Sequence, residues 1–405
     1  MDLSPVVLSI PIYILLIGFE LIYTLLKKPD YYRLSDSVTN ISCGIGDQII
    51  GVFAKVITLG FYQYLFENFT FISFEPSIVS FIILFVAVDF IYYWVHRWSH
   101  EINFLWAGHV VHHQSEEYNL SVALRQSWFH KFFTFIFYLP LAFFGFDTLS
   151  FVWANGLNLL YQFWIHTEVV KKLGPFEYVL NTPSHHRVHH GRNPEYIDKN
   201  HGGVFIIWDR LFGTFAEENK TPVYGITTPL NSWNPVWANV SHWYAMYQEG
   251  KHFEKWMDKI RLFVKPPGWR PQYAGGTLQV PYVEKNKYRK FKTIAPRSVN
   301  FYIFSQYLIT IAFTAFFLFN ESTLPLPHKT IGALLIILAI MNFGILLERK
   351  RIGFFYECIR LVISFIFITY VIHFEQKNEL ILFISSIAAF LSLSWLITQA
   401  RYFKK

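Results

Sequence analysis

Cysteine is nearly absent: Cys43 and Cys358 are the only two, and both sit inside apolar runs. That excludes a disulfide framework, a thiolate zinc site and any iron–sulfur spacing. Charge is scarce too. Charged residues make up 16% of the 405-residue chain, too few to solvate the surface of the soluble domains such a length would otherwise suggest. No internal repeat and no low-complexity tract is present. Gly44-x-Gly46 lacks the third glycine and the preceding strand of a dinucleotide fingerprint. The first apolar run, 5–26, is too long for a signal-peptide core, and Lys27 and Lys28 follow it instead of a small-residue cleavage site. It reads as a retained span.

What fills the chain is apolar. Hydrophobic residues reach 53% and aromatics 20%, and several runs reach the roughly 20 residues that cross a ~30 Å hydrocarbon core. The expected fold is therefore all-α and polytopic, with about nine spans near 5–26, 43–65, 78–98, 127–144, 149–167, 300–319, 329–347, 353–373 and 379–398. Asp47 and Lys55 interrupt the second. The net charge of +7 does not point to nucleic acid, because the basic residues gather beside span ends. They read as orientation signals and anionic-lipid contacts. One set of loops carries Lys27, Lys28 and Arg33, then Arg349, Lys350 and Arg351, then Arg401, Lys404 and Lys405; the opposite set has only Lys329 and Lys377 at its edges. By the positive-inside rule the N-terminus lies outside and the C-terminus in the cytoplasm. The segments 99–126 and 168–299 then face the cytoplasm. Within the second, 264–283 is rich in proline and glycine and reads as a loop or linker.

The chemistry sits in histidine. Nine of the 16 histidines fall in three clusters: His96-x3-His100, His109-x2-His112-His113 and His185-His186-x2-His189-His190. On a helix, residues three and four apart share a face. His96 with His100, His109 with His112 and His113, and His186 with His189 and His190 can each converge on one point. Neutral imidazole suits iron, copper, zinc and nickel. Eight converging imidazoles exceed one coordination sphere, so two metal ions are expected on the cytoplasmic side.

Four polar residues, Asn155, Asn158, Gln162 and His166, form a stripe along the fifth span. Such a stripe faces a bundle interior or a cavity. His166 at its end is a candidate ligand, the other reading being a hydrogen-bonded helix seam. Asp89 lies seven residues before His96, and orienting a ligand imidazole would justify a carboxylate in a span; an ion pair would serve equally. Glu101 is a candidate ligand or base, or else a surface charge at a helix end. His130, His242, His252, His328 and His373 stand alone and receive no role. A histidine-lined metal carrier is the non-enzyme alternative, for which ligands within the spans are expected instead of beyond their ends.

These boxes resemble the fatty acid hydroxylase superfamily, which includes the sterol desaturases, and most of all its alkylglycerol monooxygenase family. Asp89-Phe90-Ile91-Tyr92-Tyr93-Trp94, Glu117-Tyr118-Asn119-Leu120-Ser121, Leu124-Arg125-Gln126-Ser127 and Trp208-Asp209-Arg210-Leu211-Phe212-Gly213-Thr214 carry the likeness. His201 departs from it, standing where tyrosine is expected; an added ligand and a plain substitution both remain open, and His185 has no assigned role. The resemblance implies a diiron centre that inserts one oxygen atom of O2 into a lipid C–H bond. The residues themselves make Glu101 and Asp89 the catalytic candidates and set Asn155, Asn158 and Gln162 on or beside the substrate cavity. The resemblance also implies cleavage of an alkylglycerol ether to a fatty aldehyde, with tetrahydrobiopterin as electron source. The chain has no recognisable fused reductase or haem domain, so an external reductant is expected. A sterol, carotenoid or fatty-acyl hydroxylase or desaturase is the alternative. The expected division is N-terminal spans 1–77, a hydroxylase core 78–216, a cytoplasmic segment 217–299 and four C-terminal spans 300–405. The expected location is the endoplasmic reticulum in a eukaryote or the inner membrane in a bacterium.

Overall fold

A computed structural model describes residues 5–27, 29–72, 74–371 and 379–403. Lys28, His373, Lys377, Lys404 and Lys405 lie outside the described residues. Among the described residues every regular element is helical, with two isolated β-bridges, Leu180–Phe205 and Gly191–Tyr224. The principal helices are α1 (Ile10–Lys27), α2 (Leu34–Phe69), α3 (Ile78–Glu101), α4 (Asn103–His113), α5 (Thr148–Trp164), α6 (Pro183–His189), α7 (Pro235–Lys251), α8 (Trp256–Val264), α9 (Arg297–Asn320), α10 (Leu326–Leu347), α11 (Arg351–Val371) and α12 (Glu379–Gln399). Six of them, α1, α2, α3, α9, α10 and α11, are long and apolar enough to cross a bilayer. The chain is a multi-pass membrane protein.

Three expected spans take a different form. The 43–65 run is the middle of α2, which has 36 residues and is about 54 Å long, well beyond a ~30 Å core. Its first half buries Asp36, Asn40, Ser42 and Asp47 against polar partners such as Ser115, Arg125, Tyr307 and Lys131, while its second half exposes Val56, Ile57 and Phe61. The charges that interrupt it are paired: Lys131 reaches Asp47 at 2.6 Å, and Lys55 pairs with Glu321. The 127–144 run is not one helix. It breaks into His130–Thr134, a 3₁₀ turn at Phe135–Tyr138 and Pro140–Phe143; Pro140 has no N–H to donate, and Gly145 adopts φ +85° where the chain reverses. The helix that follows, α5, has 17 residues. The two segments form a hairpin of short helices where two full spans were expected.

Local signals place the site. Ser77 and Ser80 close a capping box at the start of α3. At its other end Ile102 takes an extended φ of −116°, and the chain turns directly into α4. This turn brings the first two histidine clusters face to face. Arg125 is buried and ties α4 to α2: it donates to the Val111 carbonyl (2.7 Å), to Asn40 (3.0 Å) and to Gln114 (2.8 Å). The C-terminal helices close over the other side of α2. Glu348, at the end of α10, accepts from Ser232 (2.6 Å) and from the Trp233 amide (2.8 Å). The Trp233 carbonyl in turn accepts from Thr39 of α2 at 3.0 Å. Inside that bundle Glu357 is fully buried, held by Tyr302, Asn342 and Arg360.

Candidate metal centre

Nine buried imidazoles converge in two groups, each with its ligand nitrogens within 4.8 Å of one another. The first is His96, His100, His109, His113 and His189; the second is His112, His166, His186 and His190. The sequence clusters do not map one to one onto these groups. His109 and His113, one helical turn apart, serve the first group, while His112 lies about 100° away from His113 around the helix and serves the second. The third cluster divides the same way, with His189 in one group and His186 and His190 in the other.

The rings have a definite arrangement. His96, His109, His113 and His189 form a base with neighbouring centroids 4.4–4.9 Å apart, and His100 stands over all four at 4.8–5.3 Å. The five ring centroids thus mark a square pyramid with His100 at its apex. In the second group His112 and His186 are farthest apart, at 6.4 Å, and the remaining pairs lie at 4.3–5.1 Å. The groups meet through stacked rings, His113 on His190 at 4.5 Å and His186 on His189 at 5.1 Å.

The hydrogen bonds test whether a metal fits. Backbone carbonyls accept from Nδ1 of His96 (His201, 2.7 Å), His112 (Arg125, 3.1 Å), His166 (Gln162, 2.8 Å) and His189 (Lys199, 2.9 Å). A carbonyl can only accept, so each Nδ1 carries the proton and each Nε2 presents a lone pair. Yet Nε2 of His112 and His166 face each other at 3.2 Å. Two lone pairs at that distance repel unless a cation lies between them. Nε2 of His100 and of His189 are likewise buried and without a hydrogen-bond partner. An Nδ1 held by a carbonyl with Nε2 aimed inward is the pattern of metal-ligating histidine.

Burial is the largest influence on the imidazoles outside the spans. It lowers His112 to about 4 and pushes His113, His186, His189 and His190 well below the ordinary histidine value, with neighbouring imidazoles lowering the latter four further. At neutral pH they are in the uncharged form that binds metal.

The other candidates lie around this centre. Asp89 accepts from the Val204 and Phe205 amides (2.7 and 3.1 Å), the Trp208 indole (2.9 Å) and Asn158 (2.6 Å). No imidazole is among those partners; the carboxylate holds the loop that follows His201. Gln162 donates to Asn158 at 2.6 Å, so two of the polar residues on α5 are engaged in one chain, while Asn155 is half-buried. Glu101 is half-exposed and pairs with Arg97 at 2.8 Å; it belongs to neither imidazole group. His185 packs against Phe215 outside both groups. His201 is completely buried, with its ring 5.0–5.6 Å from those of His100, His96 and His189, but its nitrogens are in neither group.

Sequence reasoning missed the loop 198–202 as a device. Its Lys199 and His201 carbonyls orient His189 and His96, and Asp198 lies 3.4 Å from Nδ1 of His100. Asp198 and Asn200 hold positive φ of 55° and 56°, a region non-glycine residues rarely occupy. Asp209 fixes them there, accepting from the His201 and Gly202 amides at 2.7 Å and from Thr214 at 2.6 Å. Asn200 adds bonds to the His185 and Ala216 carbonyls. Asp209 did stand in the Trp208–Thr214 stretch already singled out, but nothing in spacing alone linked it to a ligand.

Residues 81–214 match the family described as Fatty acid hydroxylase. The chain is 39% identical to Homo sapiens alkylglycerol monooxygenase over 86% of its own length and 79% of that protein. It is 37% identical to the Danio rerio alkylglycerol monooxygenase over 87% of its length and 80% of the relative. With the Xenopus tropicalis alkylglycerol monooxygenase it shares 41% identity over 64% of its length and 58% of the relative. No solved structure matches it. The likeness thus runs far beyond the histidine core, and the chain belongs to the alkylglycerol monooxygenase family of fatty acid hydroxylases, as a membrane lipid monooxygenase.

Proposed function

We propose that this chain is a diiron enzyme that cleaves the ether bond of alkylglycerols with O2. The observation that carries the reading is the pair of adjacent imidazole groups with inward lone pairs, set in a chain similar to alkylglycerol monooxygenases over most of its length. His96, His100, His109, His113 and His189 would hold one iron, and His112, His166, His186 and His190 the other. When bound, the metal pair supplies O2 activation. The balance is an ether CH2 plus O2, two electrons and two protons giving a hydroxylated ether carbon and water. The resulting hemiacetal then separates into a fatty aldehyde and a glycerol. Both electrons come from an external reductant, which we take to be a tetrahydropterin.

The protein's own residues supply orientation. Backbone carbonyls of Gln162, Lys199, His201 and Arg125 fix ring tautomers, and burial keeps the rings neutral. Asp89 and Glu101 act, in this reading, around the centre: the first by holding the 204–208 loop, the second as a base near its rim. The lipid keeps its chain in the bilayer and presents its ether carbon near the headgroup, beside Asn155, Asn158 and Gln162. Incubating membranes that contain the protein with alkylglycerols, with and without tetrahydropterin, should yield fatty aldehyde only in the first case. Oxidation at the distal end of a long chain, or of a sterol instead, would refute the ether assignment.

The centre is proposed to face the cytoplasm, in a chain whose nine expected crossings fall to seven when the short 127–143 and α5 segments do not span. The shortness of the 127–143 and α5 segments leaves sidedness intact: if both turn back within the bilayer, the two passages drop out together and the parity is unchanged. Single cysteines introduced within 66–77 should react with an impermeant reagent from outside, and those within 264–283 should not. The reverse labelling would overturn the orientation.

A further inference from the structure

Helix α8 turns its apolar side away from the protein. Trp256, Met257, Ile260, Phe263 and Val264 are 40–67% exposed and fall within one arc of about 120°. The opposite face carries Asp258 and Leu262, both buried, and Leu262 packs with Ala107, Met246 and Phe253. Lys259 and Arg261, both exposed, flank the apolar arc on its two sides. A helix packed on a domain normally shows the reverse pattern, with its apolar stripe inward.

Its position is fixed. The Asn103 side chain donates to the Leu262 carbonyl and the Asn103 amide to the Lys265 carbonyl, each at 3.0 Å. Asn103 stands two residues past the end of α3, the span that carries His96 and His100. The outward face continues into apolar surface: Phe263 meets Phe104, Phe104 meets Phe133, and Phe132 and Ile136 of the adjoining short helices are exposed. Lys251, Lys255, Lys259, Arg261 and Lys265 are exposed over this stretch, against Glu254 as its one exposed acid.

We infer that α8 lies flat in the headgroup region of the same bilayer and that its occupant is anionic lipid. Apolar arc, flanking cations and continuity with the spans are what an interfacial helix requires. The helix would then set the depth of the metal centre, because it grips the α3–α4 turn from which five of the histidines project. The inference rests on the helix's placement and not on which lipid is oxidised.

The test uses the full chain in nanodiscs of phosphatidylcholine with or without phosphatidylserine. An environment-sensitive fluorophore is attached at Ile260→Cys or Lys259→Cys, with the parent labelled in parallel to account for Cys43 and Cys358. The probe at 260 should be quenched by lipids brominated near the glycerol end of their chains and shielded from aqueous iodide. The probe at 259 should be more open to iodide. Lys259→Gln combined with Arg261→Gln should lower the preference for phosphatidylserine by about five-fold per charge. Iodide quenching at 260 without bromine quenching would overturn the proposal. So would shielding from both together with energy transfer between copies, which would assign the face to a second chain. Should Ile260→Cys fail to fold, Val264→Cys reads the same face.

Discussion

His112→Ala is expected to abolish turnover while the protein still inserts in the membrane. Nε2 of His112 faces that of His166 at 3.2 Å, and its ring also contacts His190 at 4.6 Å, so its removal takes one corner from a four-imidazole group that has no spare. Loss should exceed the ~100-fold typical of an outer partner's removal. The imidazole is buried and neutral, so alanine leaves a small cavity and no stranded charge. Product formation should vanish and iron content should fall, while expression and helical circular dichroism stay near the parent. Full activity in this variant would defeat the two-group reading of the site.

A second large effect is expected at a residue that touches no metal-facing nitrogen. Asp209→Ala removes the acceptor for the His201 and Gly202 amides and the Thr214 hydroxyl. Two buried amides would lose their partner, each at about 1–3 kcal/mol before relaxation, while the Thr214 hydroxyl keeps its bond with Tyr93. The loop whose carbonyls hold His96 and His189 would leave its left-handed turn. Metal affinity should fall by about 10–100-fold, read directly as iron per chain after dialysis against a graded chelator. Thermal unfolding without metal should also shift downward. An unchanged iron titration beside a lowered melting temperature would show Asp209 to be structural only.

Much of the site was legible because its chemistry is carried by one residue type at helical spacing. The three clusters are visible without any fold, and so is His166, because the polar residues on its helix repeat at three and four. What spacing could not show is which imidazole joins which group. That depends on a rotation of about 100° between adjacent residues and on how α3, α4 and α6 cross. The role of Asp89 was also hidden. Its partners Val204, Phe205 and Trp208 lie more than a hundred residues away and bond largely through backbone, which leaves no side-chain pattern. Among the spans, the long apolar helices were recognisable by length. The 127–144 run was misread because its hydropathy ignores Pro140 and the turn at Gly145. α2 was read too short because Asp36 and Asn40, ahead of residue 43, are polar yet buried against other polar groups instead of lipid.

The clasp that Glu348 makes with Ser232 and Trp233 has a consequence in time. Every imidazole of the two groups has been synthesised by His190, while the clasping helix ends more than 150 residues later. At roughly 5–20 residues per second, the ribosome needs something like 10–30 s to reach it. For that interval the nascent chain holds its complete set of ligands while α2 still lacks its outer brace. Iron offered during synthesis therefore meets a looser site than iron offered to the finished protein. Pulse-labelled ribosome-bound chains halted near residue 300 should exchange metal faster than chains released at residue 405.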